Sequence, residues 1–213
     1  MKLVIIEDQT LIRELLVMTC RQTYPDATIH AADTVGEGLA LCRLHLPDLV
    51  LLDVVLPDGD GLELAPALRT LSPEIKLLAL SSHTDEYTLH RAFAAGVNGF
   101  VDKNLQTLDL LHEAMRNVLA GEFYASASVH QARARMRADA KSFDKILSER
   151  EMELLGHLGY GKTNEEIATQ LGLSPRTVRN HRHNIMAKLD LKSTPQLIRY
   201  AIEKGFTRRQ LAS

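Results

Sequence analysis

The stretch Leu49-Val50-Leu51-Leu52-Asp53-Val54-Val55-Leu56-Pro57-Asp58-Gly59-Asp60-Gly61 decides how the rest of the chain is read. Its first four residues form an unbroken apolar run, and turn-forming residues follow. Such a run suits a strand buried on both faces of a parallel sheet. Asp53 then stands at the carboxyl end of that strand. In open α/β sheets ligands bind in the crevice outside the carboxyl ends of the strands. Taken alone, Asp53 serves equally well as a site carboxylate or as a turn cap, so the neighbouring segments must decide.

Working outward, further short apolar runs occupy residues 3–6, 27–32, 75–80 and 99–101. Helical patterns lie between them: Ile12, Leu15, Leu16 and Thr19 follow i, i+3, i+4, i+7, and Leu108, Leu111, Met115 and Val118 do much the same. Strand and helix alternating in this way predict an α/β fold, a five-stranded doubly wound parallel sheet with helices on both faces. Right-handed crossovers bring all the strand ends to one edge. There stand Glu7 and Asp8, then Asp53, then Ser81 and Ser82, then Asp102 and Lys103. Crowded carboxylates raise one another's pKa and call for a cation. Lys103 is one candidate; a hard divalent ion with oxygen ligands is the other.

Other α/β chemistries fail on the same residues. A dinucleotide or P-loop site needs glycines after the first strand, and this loop is Glu7-Asp8-Gln9-Thr10. A haloacid-dehalogenase-type phosphatase needs a second Asp two places after the nucleophile, where this chain has Val55. A serine nucleophile elbow needs Gly-x-Ser-x-Gly, which is absent.

Charge divides the chain. Up to Gly121 there are 9 Lys and Arg against 17 Asp and Glu, a balance of −8; beyond it there are 16 against 10, a balance of +6. An acidic half and a basic half imply two domains with different partners, nucleic acid for the basic one. No apolar run approaches the roughly 18 residues of a membrane span, so no membrane partner is expected. Met-Lys-Leu-Val-Ile-Ile-Glu-Asp meets charge too early for a secretory signal. Cys20 and Cys42 have no metal-ligand spacing and read as core residues of a reducing compartment. A cytoplasmic location is the expectation.

The acidic half resembles the receiver domain of two-component response regulators, the CheY-like fold, on five separated features: Glu7-Asp8, Asp53 with Pro57 and Gly61, Ser81, Phe100 and Lys103. The resemblance implies that Asp53 accepts a phosphoryl group from a sensor histidine kinase. It implies that Glu7, Asp8, Asp53 and the Val55 carbonyl help hold Mg²⁺. Ser81 and Lys103 would contact the phosphoryl oxygens, and Ser81 and Phe100 would form the switch. Phe100 lacks the hydroxyl of the commoner Tyr, and Asn104 stands where many relatives carry Pro.

Residues 122–145 read as a linker, partly helical, with Arg133, Arg135 and Arg137 on a mostly solvated face. Beyond it the signals are helix caps. Ser148-x-x-Glu151 and Thr163-x-x-Glu166 are capping boxes, Gly172 is a C-terminal stop, and Ser174-Pro175 and Thr194-Pro195 are starts. They predict a second, smaller all-α domain over 146–213 with four helices, near 148–159, 164–171, 175–189 and 195–204. The central pair, joined by Gly172-Leu173-Ser174, has the helix-turn-helix outline. On a helical wheel Val178, Ile185 and Leu189 face the core, while Arg176, Arg179, Asn180 and His183 face outward, a stripe suited to base edges.

This half resembles the LuxR-type DNA-binding domain. The residues that carry the likeness are Leu147-Ser148-x-Arg150-Glu151, Asn164-x-Glu166-Ile167-Ala168, Thr177-Val178-Arg179-x-His181 and Lys188-Leu189. The resemblance implies base contacts from Arg179, Asn180 and His183 and phosphate contacts from Thr177, His181 and Lys162. His181 lies at the core edge of the wheel, so packing is an equal role for it. The whole reads as a response regulator of the NarL/FixJ type, with 1–121 as the receiver. It is expected to be a phosphorylation-switched transcription factor, binding double-stranded DNA as a homodimer, and no enzyme beyond single-turnover phosphotransfer at Asp53. The rival is a DNA-binding protein that ignores phosphorylation and uses the receiver as a dimerisation module.

Overall fold

The computed structural model describes residues 1–105 and 107–207. The described residues divide into two compact units: Met1–Thr84 with Arg91–Gln131, and residues 85–90 with 132–207.

The first unit is built on a parallel sheet of six strands: β1 Lys2–Ile6, β2 Thr28–Ala32, β3 Leu49–Asp53, β4 Lys76–Ser81, β5 Gly99–Asp102 and β6 Tyr124–Ala125, in the order β2-β1-β3-β4-β5-β6. Its helices are α1 Thr10–Thr23, α2 Val35–His45, α3 Leu64–Leu71, α4 Glu86–Ala94 and α5 Leu108–Leu119; the first turn of α4 clusters with the second unit. Residues Leu49–Leu52 are wholly buried, as a strand covered on both faces requires. Alternate side chains part to opposite faces. Leu3, Ile5, Leu49 and Leu51 pack with Leu16 and Cys20 of α1 and with Leu111, Met115 and Val118 of α5. On the other face α2 comes so close that a Cβ at Gly38 would lie 2.4 Å from Ile6.

The sheet has six strands rather than five. Tyr124 N–H donates to the Asn98 carbonyl at 3.2 Å and Ser126 N–H to the Phe100 carbonyl at 3.1 Å, adding β6 beside β5. Two paired residues are too few to show a period in sequence, so this stretch read as linker. Helix α6, Ala127–Ala138, follows, with Val129, Ala132 and Met136 buried and Arg135 and Arg137 exposed. The α1 stripe is also narrower than the wheel indicates: Leu16 is buried, whereas Leu15 is 46% exposed.

In the second unit, α7 Phe143–Ile146 precedes α8 Glu149–Gly159, α9 Asn164–Leu171, α10 Pro175–Lys188 and α11 Thr194–Glu203. Both capping boxes are closed at their backbone and side-chain ends. Gly172 ends α9 at φ 65°, a conformation that suits glycine. One start is displaced: Ser193, not Thr194, is the N-cap of α11 and accepts from Gln196 N–H. Val178, Ile185, Leu154, Leu155, Ile167 and Leu197 form the core among these helices. No helix of the described residues is long and apolar enough to cross a membrane.

Candidate functional site

The strand order reverses between β1 and β3, because the chain leaves β1 outward to β2 and then crosses back to β3. That switch point opens a crevice at the carboxyl ends of both strands. Glu7 and Asp8 follow β1 and Asp53 ends β3, so the topology brings acids up to 46 residues apart in sequence to one place. One carboxylate oxygen of each lies within 4.8 Å of the others. Lys103, directly after β5, forks across two of them: its Nζ donates to Glu7 Oε2 at 2.6 Å and to Asp53 Oδ2 at 2.7 Å. Glu7 is wholly buried, Asp53 nearly so, and Asp8 is exposed.

The electrostatics follow from that packing. Burial pushes the Glu7 carboxyl above its ordinary range; the hydrogen bond from Lys103 opposes this, and the neighbouring Asp53 charge adds to it. With all four groups ionised, three carboxylates and one ammonium leave an excess of negative charge that Lys103 cannot cancel. Hard oxygen donors, one of them open to solvent, are the ligand set that Mg²⁺ takes together with water. The residues present therefore fit such an ion.

The turn after Asp53 is held from several sides. Val55 N–H donates to Asp53 Oδ1 at 3.1 Å, which places Val55 at the crevice. Val54 N–H donates to the Leu80 carbonyl at 3.1 Å and Gly61 N–H to the Val54 carbonyl at 2.9 Å. A Cβ at Gly61 would lie 2.0 Å from the Asp53 carbonyl oxygen, so only glycine lets the turn close here. Asp58 accepts from Val35 N–H at 2.8 Å and from Gly36 N–H at 3.0 Å, capping α2 from across the fold. Buried Asp60 pairs with Arg91 of α4. Sequence reading missed Asp58, Asp60 and Arg91, since their partners lie more than 20 residues away.

Ser81 is buried at the end of β4, one residue beyond Leu80, the strand partner of Asp53. Its Oγ accepts from His83 N–H at 3.1 Å. Phe100 is wholly buried on β5. Asp102 does not join the acidic cluster. Its Oδ1 accepts from Asn104 N–H at 2.9 Å and its Oδ2 from Ser128 Oγ at 2.9 Å.

In the second unit Arg176, Arg179, Asn180 and His183 are all exposed along α10, while Thr177, His181 and Lys162 are half-buried. Thr177 Oγ1 shares a 2.8 Å hydrogen bond with Ser174 Oγ, and Lys162 Nζ donates to Gln170 Oε1 at 2.8 Å. The stripe is held from behind. Glu151 Oε2 accepts from Ser148 N–H at 2.8 Å and from Lys188 Nζ at 2.6 Å, so the residue that caps α8 also fixes the end of α10. Arg150 donates to the Leu171 carbonyl at 3.2 Å, satisfying the end of α9.

A doubly wound unit with an acid–ammonium crevice, joined to a helix-turn-helix unit with a cationic and amide stripe, defines the class of DNA-binding response regulators. Comparison with known proteins agrees. The response regulator receiver domain family matches residues 3–116, and the bacterial regulatory proteins of the luxR family match residues 145–201. The oxygen regulatory protein NreC of Staphylococcus haemolyticus is 33% identical, covering 96% of this chain and 98% of its own. The DNA-binding transcriptional activator DevR/DosR of Mycobacterium tuberculosis is 31% identical, covering 95% and 94%. Among solved structures, a LuxR-family two-component response regulator from Aurantimonas sp. SI85-9A1 superposes with a TM-score of 0.60 at 27% identity, over 65% of this chain and 98% of that one. RcsB dimers bound to two parallel DNAs share the fold, at a TM-score of 0.64 and 19% identity over 95% of this chain and 98% of that one. The chain belongs to the response regulators that carry a LuxR-family output domain.

Proposed function

We propose that Asp53 is the phosphoacceptor of a sensor histidine kinase and that its phosphorylation controls DNA binding by α10. One observation carries this reading: Lys103 reaches Asp53 at 2.7 Å inside a carboxylate cluster that fits a divalent cation. A carboxylate oxygen of Asp53 attacks the phosphorus of a phosphohistidine. The N–P bond breaks, the imidazole leaves with the electron pair, and an acyl phosphate forms. Lys103 neutralises charge on the transferred group, and Ser81 donates its hydroxyl to a phosphoryl oxygen. Glu7, Asp8, Asp53 and the Val55 carbonyl would hold Mg²⁺, which would supply the remaining positive charge. Glu7 is wholly buried, whereas Asp53 keeps slight exposure, and Lys103 forms its ion pairs with Glu7 and Asp53, which supports Asp53 as the nucleophile.

Turnover stops at one phosphoryl per chain, which makes the protein a switch rather than an enzyme. To invert a 1:99 balance between inactive and active states, phosphorylation must favour the active one by about 5.5 kcal/mol. Ser81 and the buried Phe100 are the residues that register the new group, and homodimerisation on DNA adds to the bias. Arg176, Arg179, Asn180 and His183 read bases, while Thr177, His181 and Lys162 meet phosphates. Free buried thiols at Cys20 and Cys42 suit a reducing cytoplasm.

The test is incubation with acetyl phosphate and Mg²⁺, read by intact mass. Wild type gains one phosphoryl and Asp53→Ala gains none. A gain that persists in the variant overturns the assignment. No gain in either protein favours a DNA binder that uses the receiver only to dimerise.

A further inference from the structure

The sheet ladder between β4 and β5 ends at the pair Ser81 and Asp102. One step further on each strand stand Ser82 and Lys103, beyond the last paired residues. Ser81 and Lys103 are the two residues that must meet one phosphoryl group, so the spacing of these strand ends matters. A side chain supplies the missing rung. Asn104 Nδ2 donates to the Ser82 carbonyl at 2.7 Å and to Asp102 Oδ1 at 3.1 Å. Its backbone N–H donates to the same Oδ1 at 2.9 Å. Both partners of the amide are acceptors only, which fixes the NH₂ toward them and the amide oxygen away. Asp102 is immobilised in turn by Ser128 Oγ on Oδ2 at 2.9 Å and by its own N–H on Ser126 Oγ at 3.3 Å.

We propose that Asn104 is a positioning residue, a cross-strand clamp that sets the separation of Ser81 and Lys103 for phosphoryl recognition. The inference rests on the reading of Asp53 given above. The residue after the lysine is an amide that reaches across to the next loop. Proline could replace neither the N–H to Asp102 nor the bond to Ser82. The clamp touches none of Glu7, Asp8 or Asp53 directly; it reaches the site through Lys103, whose Nζ bonds Glu7 and Asp53, so its effect is larger on the phosphoryl than on the metal. Asn104 is itself exposed, so its removal leaves the core unchanged.

The experiment compares wild type, Asn104→Ala and Asn104→Asp as full-length chains, by calorimetric titration with Mg²⁺ alone and with beryllium fluoride in saturating Mg²⁺. Fluoroberyllate mimics the phosphoryl and needs Ser81 and Lys103; Mg²⁺ alone needs only the carboxylates. The expected result is fluoroberyllate binding weakened by about three- to tenfold in Asn104→Ala, the size of one exchanged hydrogen bond. Asn104→Asp loses at least as much, because it sets an oxygen against two acceptors. Mg²⁺ affinity changes by clearly less than that factor, and the urea midpoint stays as in wild type. Unchanged fluoroberyllate affinity in both variants overturns the clamp, and so does an equal loss for Mg²⁺ and fluoroberyllate, which is the sign of general loosening. Wild type that binds no fluoroberyllate overturns the reading of Asp53, and the clamp falls with it.

Discussion

Lys103→Met tests the electrostatic centre of the site. Its Nζ sits 2.6 Å from Glu7 and 2.7 Å from Asp53, with the three side chains 9%, 0% and 6% exposed. Methionine keeps an apolar stem and deletes the charge. Removing one partner of a buried ion pair costs about 3–5 kcal/mol, because the other charge is left uncompensated. Two carboxylates lose the same partner here and Asp8 adds a third negative charge, but solvent reaches the mouth of the crevice at exposed Asp8 and screens part of the cost, so about 3 kcal/mol is expected. A divalent ion returns the missing positive charge to the same oxygens. Mg²⁺ must therefore stabilise Lys103→Met more than wild type. Urea unfolding followed by far-UV circular dichroism, in EDTA and in saturating Mg²⁺, measures both quantities. With a slope of about 1–3 kcal/mol per molar urea, the midpoint in EDTA drops by about 1–3 M. Because the chain has two compact units, the transition to follow is the one that Mg²⁺ moves. Unfolding free energies in EDTA that agree to within about 0.5 kcal/mol, or equal Mg²⁺ increments in the two proteins, would refute the reasoning.

Gly61→Ala drives a Cβ against the Asp53 carbonyl oxygen, 2.0 Å away. A loss of about 1–3 kcal/mol by thermal melting is expected, with weaker Mg²⁺ binding. Glu151→Gln keeps an amide oxygen that can accept from Ser148 N–H but removes the negative charge that holds Lys188 and costs up to about 1 kcal/mol in the melt of the second unit. Burial opposes the charge of Glu151, but the hydrogen bonds from Lys188 and Ser148 outweigh it and hold its pKa below the ordinary value. The unfolded chain then binds more protons than the folded one, so this contribution is present above about pH 4.3 and is lost as pH falls through the folded pKa. Melts taken from about pH 5 downward should fall more steeply in wild type than in Glu151→Gln. Arg179→Ala should relax base preference by about 1–3 kcal/mol at one position of a selected operator, whereas Lys162→Ala should weaken all sequences alike and lower the salt slope by about one. Binding titrations on a randomised operator library at two salt concentrations separate the two.

Much was legible before any coordinates, because the signals were local. The run Leu49–Leu52 with Asp53 at its end names a buried strand and its exit in five residues. The boxes Ser148-x-x-Glu151 and Thr163-x-x-Glu166 close over three, and both formed. The acidic residues at successive strand ends converge because parallel strands with helical crossovers leave them no other edge. Where local signals ran short, the reading slipped by a residue, as at Ser193, or missed an element, as with the two residues of β6.

The amino-acid order by itself determined the five long strands, most of the helices and both capping boxes, and so that Glu7, Asp8, Asp53 and Lys103 would share one rim. Only the folded chain decided their distances and which group answers which: that Lys103 forks Glu7 and Asp53, that Asp102 turns away toward Asn104 and Ser128, and that Glu151 holds Lys188 as well as its own helix. The reason is reach. A period or a cap is written within one or two turns of chain, whereas a hydrogen bond between loops depends on strand register and helix packing that no single segment contains.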